Sequence, residues 1–482
     1  MSISSDHPGY VDSNGQAMGV SNPGGALEPP KPRSRLGVVV AILAVIALAV
    51  AAVVVWQLAS PNTPATPATQ QTTPTTITLS LQPAAGITPV IQWAQSLGGE
   101  SYDSFRGVAV TSDGSMVAVG FTQSTGGGFG MTNGAGAAMI AMFDSQGNNE
   151  WAKAISELAY GDFESVAIGA DGSIYAVGSA VPAGMDPQVA EDSFGLVVKL
   201  TPTGDVVWKK TFGGDGQDQF LHVVDMGSGL IVVGQTASTH GDMPATHGDM
   251  DALVASISYD GDLVWAKTYG GTSSDCFNSA TAGPDGTIIA VGASASPDGD
   301  FADPRGKFNA VIAGLGPQGD LAWSKVFGGS EYDEFNTVST APGGSFFVAG
   351  VTRSPDGDLP NLSTVPNLVS VYGTCTPQAA SCQWGDGQGD EYSGSTVTTG
   401  GLAVAVGGGL GVGSWAIMAF DLASEAMRSG PVIPDDYPQG SYGAAAALPG
   451  NRIVAVGSAT KNPGANVDTS EYDAFVVIIG FG

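Results

Sequence analysis

The sequence predicts an all-β fold, a ring of seven four-stranded blades, on three observations. A phrase of 57 or 58 residues recurs from about residue 90 onward. Each copy carries two Gly-marked turns between short β-branched runs, and no segment of the repeat has a helical period. Four-stranded units repeated radially close into a β-propeller, for which seven copies is an ordinary number. The parallel β-helix is the main rival, but its turns are shorter and lack two hairpins per repeat.

Composition narrows the class. The chain has 482 residues, of which 71 are Gly, roughly twice the usual share of about 7%. An apolar content of 43% excludes a disordered acidic tail, and the glycines lack the three-residue period of collagen. Sixteen Lys and Arg stand against 45 Asp and Glu, a net charge of −29. That balance argues against nucleic acid as a partner, because phosphate binding needs Lys and Arg.

Residues 1–35 are rich in Gly, Pro, Ser and Asn, with no apolar pattern, and read as a disordered cytoplasmic segment. Residues 36–58 read as a transmembrane signal-anchor. Leu36 to Trp56 is an unbroken apolar or Gly run of 21 residues, preceded by Lys31, Arg33 and Arg35. At ~1.5 Å per helical residue such a run spans a bilayer core. The basic flank places the N-terminus in the cytoplasm and the rest outside, in the cell membrane by a single pass. A cleaved signal peptide is the alternative, but its apolar region is shorter. Residues 59–77 are Pro- and Thr-rich, an extended extracytoplasmic linker.

Residues 78–482 hold the propeller. Trp93, Trp151, Trp208, Trp265 and Trp323 recur at 57 or 58 residues and open phrases such as WKKTFGG and WAKTYGG. An Asp-x-aromatic step follows: Asp103 and Phe105, Asp218 and Phe220, Asp275 and Phe277, Asp333 and Phe335. A hairpin with Asp-Gly between apolar runs comes next, as in SDGSMVAVG. Its second run ends in a Gly at 120, 178, 234, 292, 350, 407 and 457, which counts seven copies. A third run, such as DALVASI, leads to a second Gly turn and the next Trp strand. The last copy lacks a Trp strand, whereas the first has an extra one around Val90 to Leu97. The N-terminal strand therefore closes the last blade and removes two open sheet edges.

These phrases resemble the repeats of bacterial cell-surface β-propeller proteins, W-x-K-x-[FY]-G-G…D-x-F…DG…V-x-G-x-[ST]…D-A-x-[VL], over roughly residues 90–482. The resemblance implies the propeller fold and a surface or exported setting, and little about function. Copies six and seven depart from the pattern, which leaves their blade boundaries open.

Candidate sites carry two readings each. The Trp row either stacks on sugars or packs between sheets. The Asp of the Asp-x-aromatic step is either a structural hydrogen-bonding group or one of a ring of carboxylates at a channel mouth. Asp298, Asp300, Asp356 and Asp358 lie in two Ser-Pro-Asp-Gly-Asp loops, which read either as Ca²⁺ ligands or as β-turns. His240, Asp242, His247 and Asp249 lie in a duplicated THGDM segment, a metal site or a solvated slippage loop. Cys375 and Cys382 flank TPQAAS in the longest insertion, between copies five and six, and are expected to form a disulfide outside the membrane, with Cys276 a lone thiol. Gly314, Gly316 and Gly319 match a dinucleotide fingerprint, but no helix follows them. A triad through His222 finds no support.

The function expected is a membrane-anchored extracytoplasmic binding or scaffold module, for cell-wall glycan or a surface protein. A polysaccharide hydrolase or lyase with its site in the channel is the runner-up, and a Ca²⁺-dependent adhesin the third reading. No cofactor is certain, with Ca²⁺ the candidate.

Overall fold

The computed structural model describes residues 87–482, apart from residues 131, 133–135, 156, 186–191, 304, 360–368, 377–381, 387–389, 410–414, 425–426, 431 and 462–471. They belong to one compact unit, Leu79–Gly482. The segments read as cytoplasmic, membrane-spanning and linker, 1–35, 36–58 and 59–77, lie outside the described residues. Among the described residues, no helix is long and apolar enough to cross a membrane.

Among the described residues, twenty-eight strands form seven antiparallel sheets of four. The first strand of the chain, β1 (Pro89–Leu97), stands apart from the count of blade 1. Blade 1 comprises β2 (Asp103–Val110), β3 (Met116–Thr122), β4 (Ala137–Phe143) and β5 (Asn149–Ala154). Blade 2 is β6 (Leu158–Ile168), β7 (Ile174–Pro182), β8 (Phe194–Leu200) and β9 (Val206–Phe212). Blade 3 is β10 (Asp218–Asp225), β11 (Leu230–Thr236), β12 (Asp251–Ile257) and β13 (Leu263–Tyr269). Blade 4 is β14 (Asp275–Ala282), β15 (Ile288–Ser294), β16 (Asn309–Leu315) and β17 (Leu321–Phe327). Blade 5 is β18 (Asp333–Thr340), β19 (Phe346–Thr352), β20 (Val369–Cys375) and β21 (Cys382–Asp386). Blade 6 is β22 (Asp390–Val397), β23 (Leu402–Gly409), β24 (Trp415–Asp421) and β25 (Met427–Gly430). Blade 7 takes β26 (Gln439–Leu448), β27 (Arg452–Thr460) and β28 (Asp473–Phe481) from the end of the sequence and β1 from its other side. β1 pairs antiparallel with β28, from Pro89 opposite Phe481 to Leu97 opposite Ala474. This is the closure the sequence predicts.

The first strand of each blade packs against its counterparts in both neighbouring blades, and β26 packs back on β2, so the ring is closed. Buried apolar side chains form seven clusters, one at each seam between blades. This is why middle strands such as β3 and β4 are apolar on both faces: each face meets a different sheet.

Three details differ from the sequence reading. The recurrent Gly does not end the second strand; it lies inside it, opposite the aromatic residue of the first strand, as Gly234 lies opposite Phe220. The cysteine pair does not sit in an insertion between copies five and six. Cys375 ends β20 and Cys382 begins β21, so the disulfide, with Cα atoms 4.1 Å apart, joins the third and fourth strands of blade 5. Trp384 lies on that fourth strand one place after the position of the repeat Trp, which is Gln383; it sits opposite Gly373 and packs in the seam with blade 4, its ring stacking on Phe335 at 5.3 Å. Finally, copy seven keeps its aromatic as Tyr442 but has Gly440 where blades 1, 3, 4, 5 and 6 have Asp.

Candidate functional site: the central channel

The residues that recur from blade to blade are occupied in holding the blades. Asp103, Asp218, Asp275 and Asp333 are at most 1% exposed. Asp218 shows the pattern. Its Oδ2 accepts from the Gly214 N–H at 2.9 Å and the Ser238 hydroxyl at 2.7 Å, and its Oδ1 accepts from the Thr236 hydroxyl at 2.5 Å. Asp333 repeats it with Gly329, Ser354 and Thr352. The Gly-Gly of the Trp phrase and the Ser/Thr after the second strand are thus the two ends of one buried carboxylate clasp. These side chains do not ring a channel mouth.

The Trp row is equally spent: Trp93, Trp151, Trp208 and Trp265 each lie beneath a Gly turn, and Trp323 packs in the seam with blade 5. A Cβ on Gly147, Gly204 or Gly319 would come within 2.9 Å of Trp93, Trp151 or Trp265 of the preceding blade. Trp208 Nε1–H donates to Tyr259 O at 3.2 Å across the same seam. The Lys two residues after the Trp completes the clip. Lys153 pairs with Asp205 at 3.2 Å, Lys210 with Asp262 at 3.0 Å and Lys267 with Asp320 at 2.6 Å.

The acidic loops fold onto their own blades. Asp298 Oδ1 accepts from Thr272 N–H at 2.8 Å and Asp300 Oδ2 from Gly270 N–H at 3.2 Å. In the next blade Asp356 Oδ1 accepts from Ser330 N–H at 2.8 Å and Asp358 Oδ1 from Gly328 N–H at 2.6 Å. The two turns use Gly299 and Gly357 at positive φ. The duplicated histidines take separate partners: His240 Nδ1 lies 3.1 Å from Asp215, and His247 Nδ1 lies 2.6 Å from Asp251. Asp242 and Asp249 are exposed beside them. Among the described residues, no three His, Cys, Asp or Glu side chains are grouped to hold a metal ion. Cys276 is a free thiol on β14, 3.6 Å from Asn278 Oδ1, and burial pushes it up to about 12.

The channel is different. Every first strand carries a bulge immediately after its aromatic residue. A bulge bends the strand and re-aims a side chain. The residues so placed are Arg106, Glu164, Leu221, Asn278, Asn336, Ser393 and Gly443, and all seven line one cavity of about 410 Å³. Two of the seven are Asn; otherwise the residue changes with each blade. The glycines facing the bulges explain themselves here. A Cβ on Gly120, Gly234 or Gly407 would lie 1.8–2.0 Å from a backbone carbonyl oxygen of the bulged strand.

Neighbouring channel residues are tied together. The Arg106 guanidinium contacts Asp162 at 3.1 Å and also Glu164, both on blade 2. Asn278 donates to Glu334 Oε1 at 2.6 Å and to Phe335 O at 3.1 Å. Asn336 donates to Tyr392 O at 2.9 Å. Tyr332 donates its hydroxyl to the second oxygen of Glu334. Burial outweighs the attraction of Arg106 and carries the Glu164 carboxyl up to about 7. The same enclosure pushes His222 down to about 4, so its ring is neutral. His222 Nδ1 is buried with no hydrogen-bond partner.

Sequence reasoning missed Arg106, Asp162, Glu164, Asn278 and Glu334. The available signal was position: each lies one residue from the repeat aromatic, where the copies disagree.

No protein-family model matches the sequence, and no curated protein matches it. Solved structures are similar in fold. Hydrazine synthase of Kuenenia stuttgartiensis is 12% identical with a TM-score of 0.47, over 76% of this chain and 95% of that one. The PQQ-bound aldose sugar dehydrogenase of Streptomyces coelicolor is 11% identical with a TM-score of 0.40, over 83% and 100%. The polysaccharide lyase Uly1 is 10% identical with a TM-score of 0.45, over 80% and 90%. At such identities the likeness is one of fold alone.

Proposed function

We propose that the chain is a membrane-anchored, extracytoplasmic binding module that takes its ligand in the propeller channel. One observation supports this above the others. The side chains that recur in the blades are consumed by the clasp and the clip, while the side chains that change from blade to blade gather around one polar cavity. A residue that the repeat does not prescribe and that lines a cavity is available for recognition. The 21-residue apolar run behind a basic flank supports the anchor.

The test uses the full chain in a zwitterionic detergent on a glycan array and on isolated cell-wall polymer. Retention is expected for the wild type and for Val264→Lys, an exposed outer-strand change. It is expected to be lost in Leu221→Trp, which fills the channel. Equal retention by both variants would move the binding surface off the channel.

A second reading has one specific observation in its favour. Glu164, carried to about 7, stands beside Asp162 on a shared arginine. A protonated carboxyl next to a second carboxyl is the acid–base division that glycoside cleavage uses. Release of reducing ends from retained polymer, abolished by Glu164→Gln, is the outcome that would establish it.

A further inference from the structure

We propose that the channel cavity binds a neutral polyhydroxylated ring, a single sugar unit or the end of a saccharide chain. This rests on the reading of the channel as the ligand site and names the ligand class.

The volume, about 410 Å³, falls in the range of small-molecule sites, roughly 300–1,000 Å³. The wall is dominated by groups that both donate and accept. Ser104, Ser279, Ser393 and Ser441 bring hydroxyls and Asn336 an amide, from blades 1, 4, 5, 6 and 7 around the cavity. Vicinal hydroxyls on a ligand need such dual partners, since each must give one hydrogen bond and take another.

Charge selects against ionic ligands. The one Arg of the wall, Arg106, is already paired with two carboxylates, so an anion finds no open cation there. The one carboxyl of the wall, Glu164, holds Arg106, and burial favours its neutral form; the carboxylates that touch wall residues from outside the lining are occupied as well. Asp162 Oδ1 accepts from Ser179 N–H and hydroxyl at 2.9 and 2.7 Å, and Glu334 takes Asn278 and Tyr332. An ammonium group would have to break one of these pairs. Moving a buried charge away from its partner is unfavourable, whereas a neutral ligand leaves the pairs intact. His222 supplies the group that the fold leaves unsatisfied. It lines the cavity, and its Nδ1 is enclosed without a partner. A ligand hydroxyl that draws the ring round to face the cavity satisfies a nitrogen that is otherwise unpaired.

The experiment is ligand-observed NMR and titration calorimetry on the full chain in a detergent without a sugar headgroup. The probes are methyl glucoside, glucosamine and glucuronate, three rings of one size and three charges. Methyl glucoside is expected to bind at least about tenfold more tightly than either charged probe. Leu221→Trp is expected to abolish that binding. His222→Phe is expected to weaken it by about tenfold, the scale of one hydrogen bond to a neutral group. Thermal melting of both variants checks that they are folded, and Val264→Lys is the unaffected reference. Tighter binding of a charged probe, or methyl glucoside binding that survives Leu221→Trp, overturns the proposal. If polymer retention responds to Leu221→Trp while no monosaccharide binds, the ligand class fails alone. If neither responds, the channel reading fails with it.

Discussion

Seven glycines decide where the channel side chains point. At Gly234 a methyl group would sit 1.9 Å from Gln219 O, inside the bulge that aims Leu221. Gly234→Ala is expected to destabilise the domain by about 1–3 kcal/mol, the usual scale of overpacking. Urea unfolding measures it, and an unchanged midpoint would mean that the bulge yields freely. These glycines were visible in the sequence, but the bulge was not: a missing Cβ says that something is close, not what it is. Arg106, Glu164 and His222 were illegible for a related reason, since each occurs once and a repeat search rewards only what recurs. Glu164 also gives a prediction with a definite sign. Its carboxyl goes from 4.5 in an unfolded chain to about 7 when folded, so the folded state holds the proton longer. The stabilisation it gives is complete below pH 4.5 and is lost as pH rises through about 7. Burial moves Asp103, Asp218, Asp275 and Asp473 in the same direction. Glu164→Gln is neutral at every pH and is expected to flatten the fall in Tm between pH 5 and 8. A slope equal to that of the wild type would contradict the assignment.

Between elements, the fourth strand of one blade is clipped under the Gly turn of the next. Trp208 and Lys210 of β9 reach Tyr259 and Asp262 at the turn before β13. The two halves of this clip differ in weight. Trp208→Ala removes a large ring packed in the seam and is expected to destabilise the domain by about 3–5 kcal/mol. Lys210→Met removes an exposed ion pair and is expected to change stability by less than about 1 kcal/mol. Equal losses in thermal melts would mean that the ion pair, not the ring, holds the seam. The W-x-K spacing made this clip the most readable part of the sequence. Blade 5 was the least readable, because Gln383 stands at the position of the repeat Trp and Trp384 falls one place later, 61 residues after Trp323. Blade 2 shifts its carboxylate by one place: Asp162 directly precedes Phe163, and its oxygens serve Ser179 and Arg106. The clasp carboxylate there also holds the channel residue Arg106, which no spacing rule predicts.

At the scale of the molecule, closure rests on one strand. β1 pairs along its length with β28 and covers an edge that would otherwise stand open. Deletion of residues 87–97 is expected to give a protein that melts earlier and elutes as oligomers, through exposed β28 edges. Size-exclusion chromatography with light scattering reads this directly, and a monomer melting with the parent would show that six blades and a three-stranded seventh suffice. That the ring has seven members and closes with its first strand was legible from the count of glycines and the surplus Trp phrase. The channel's contents were not, because no repeat encodes them.

The same pairing has a consequence for how the protein is made. β1 and β28 are separated by roughly 390 residues, so at ~5–20 residues per second the first strand waits at least about 20 s for its partner. Through that interval the first blade and the newest one each offer a bare seam to whatever is nearby, and the ring cannot close until the final strand arrives. Few contacts in proteins span so much sequence, and such contacts form late and slowly. A nascent chain of this design therefore depends on being shielded while it grows. Its yield in cells is expected to be set by the time spent open rather than by the stability of the finished ring.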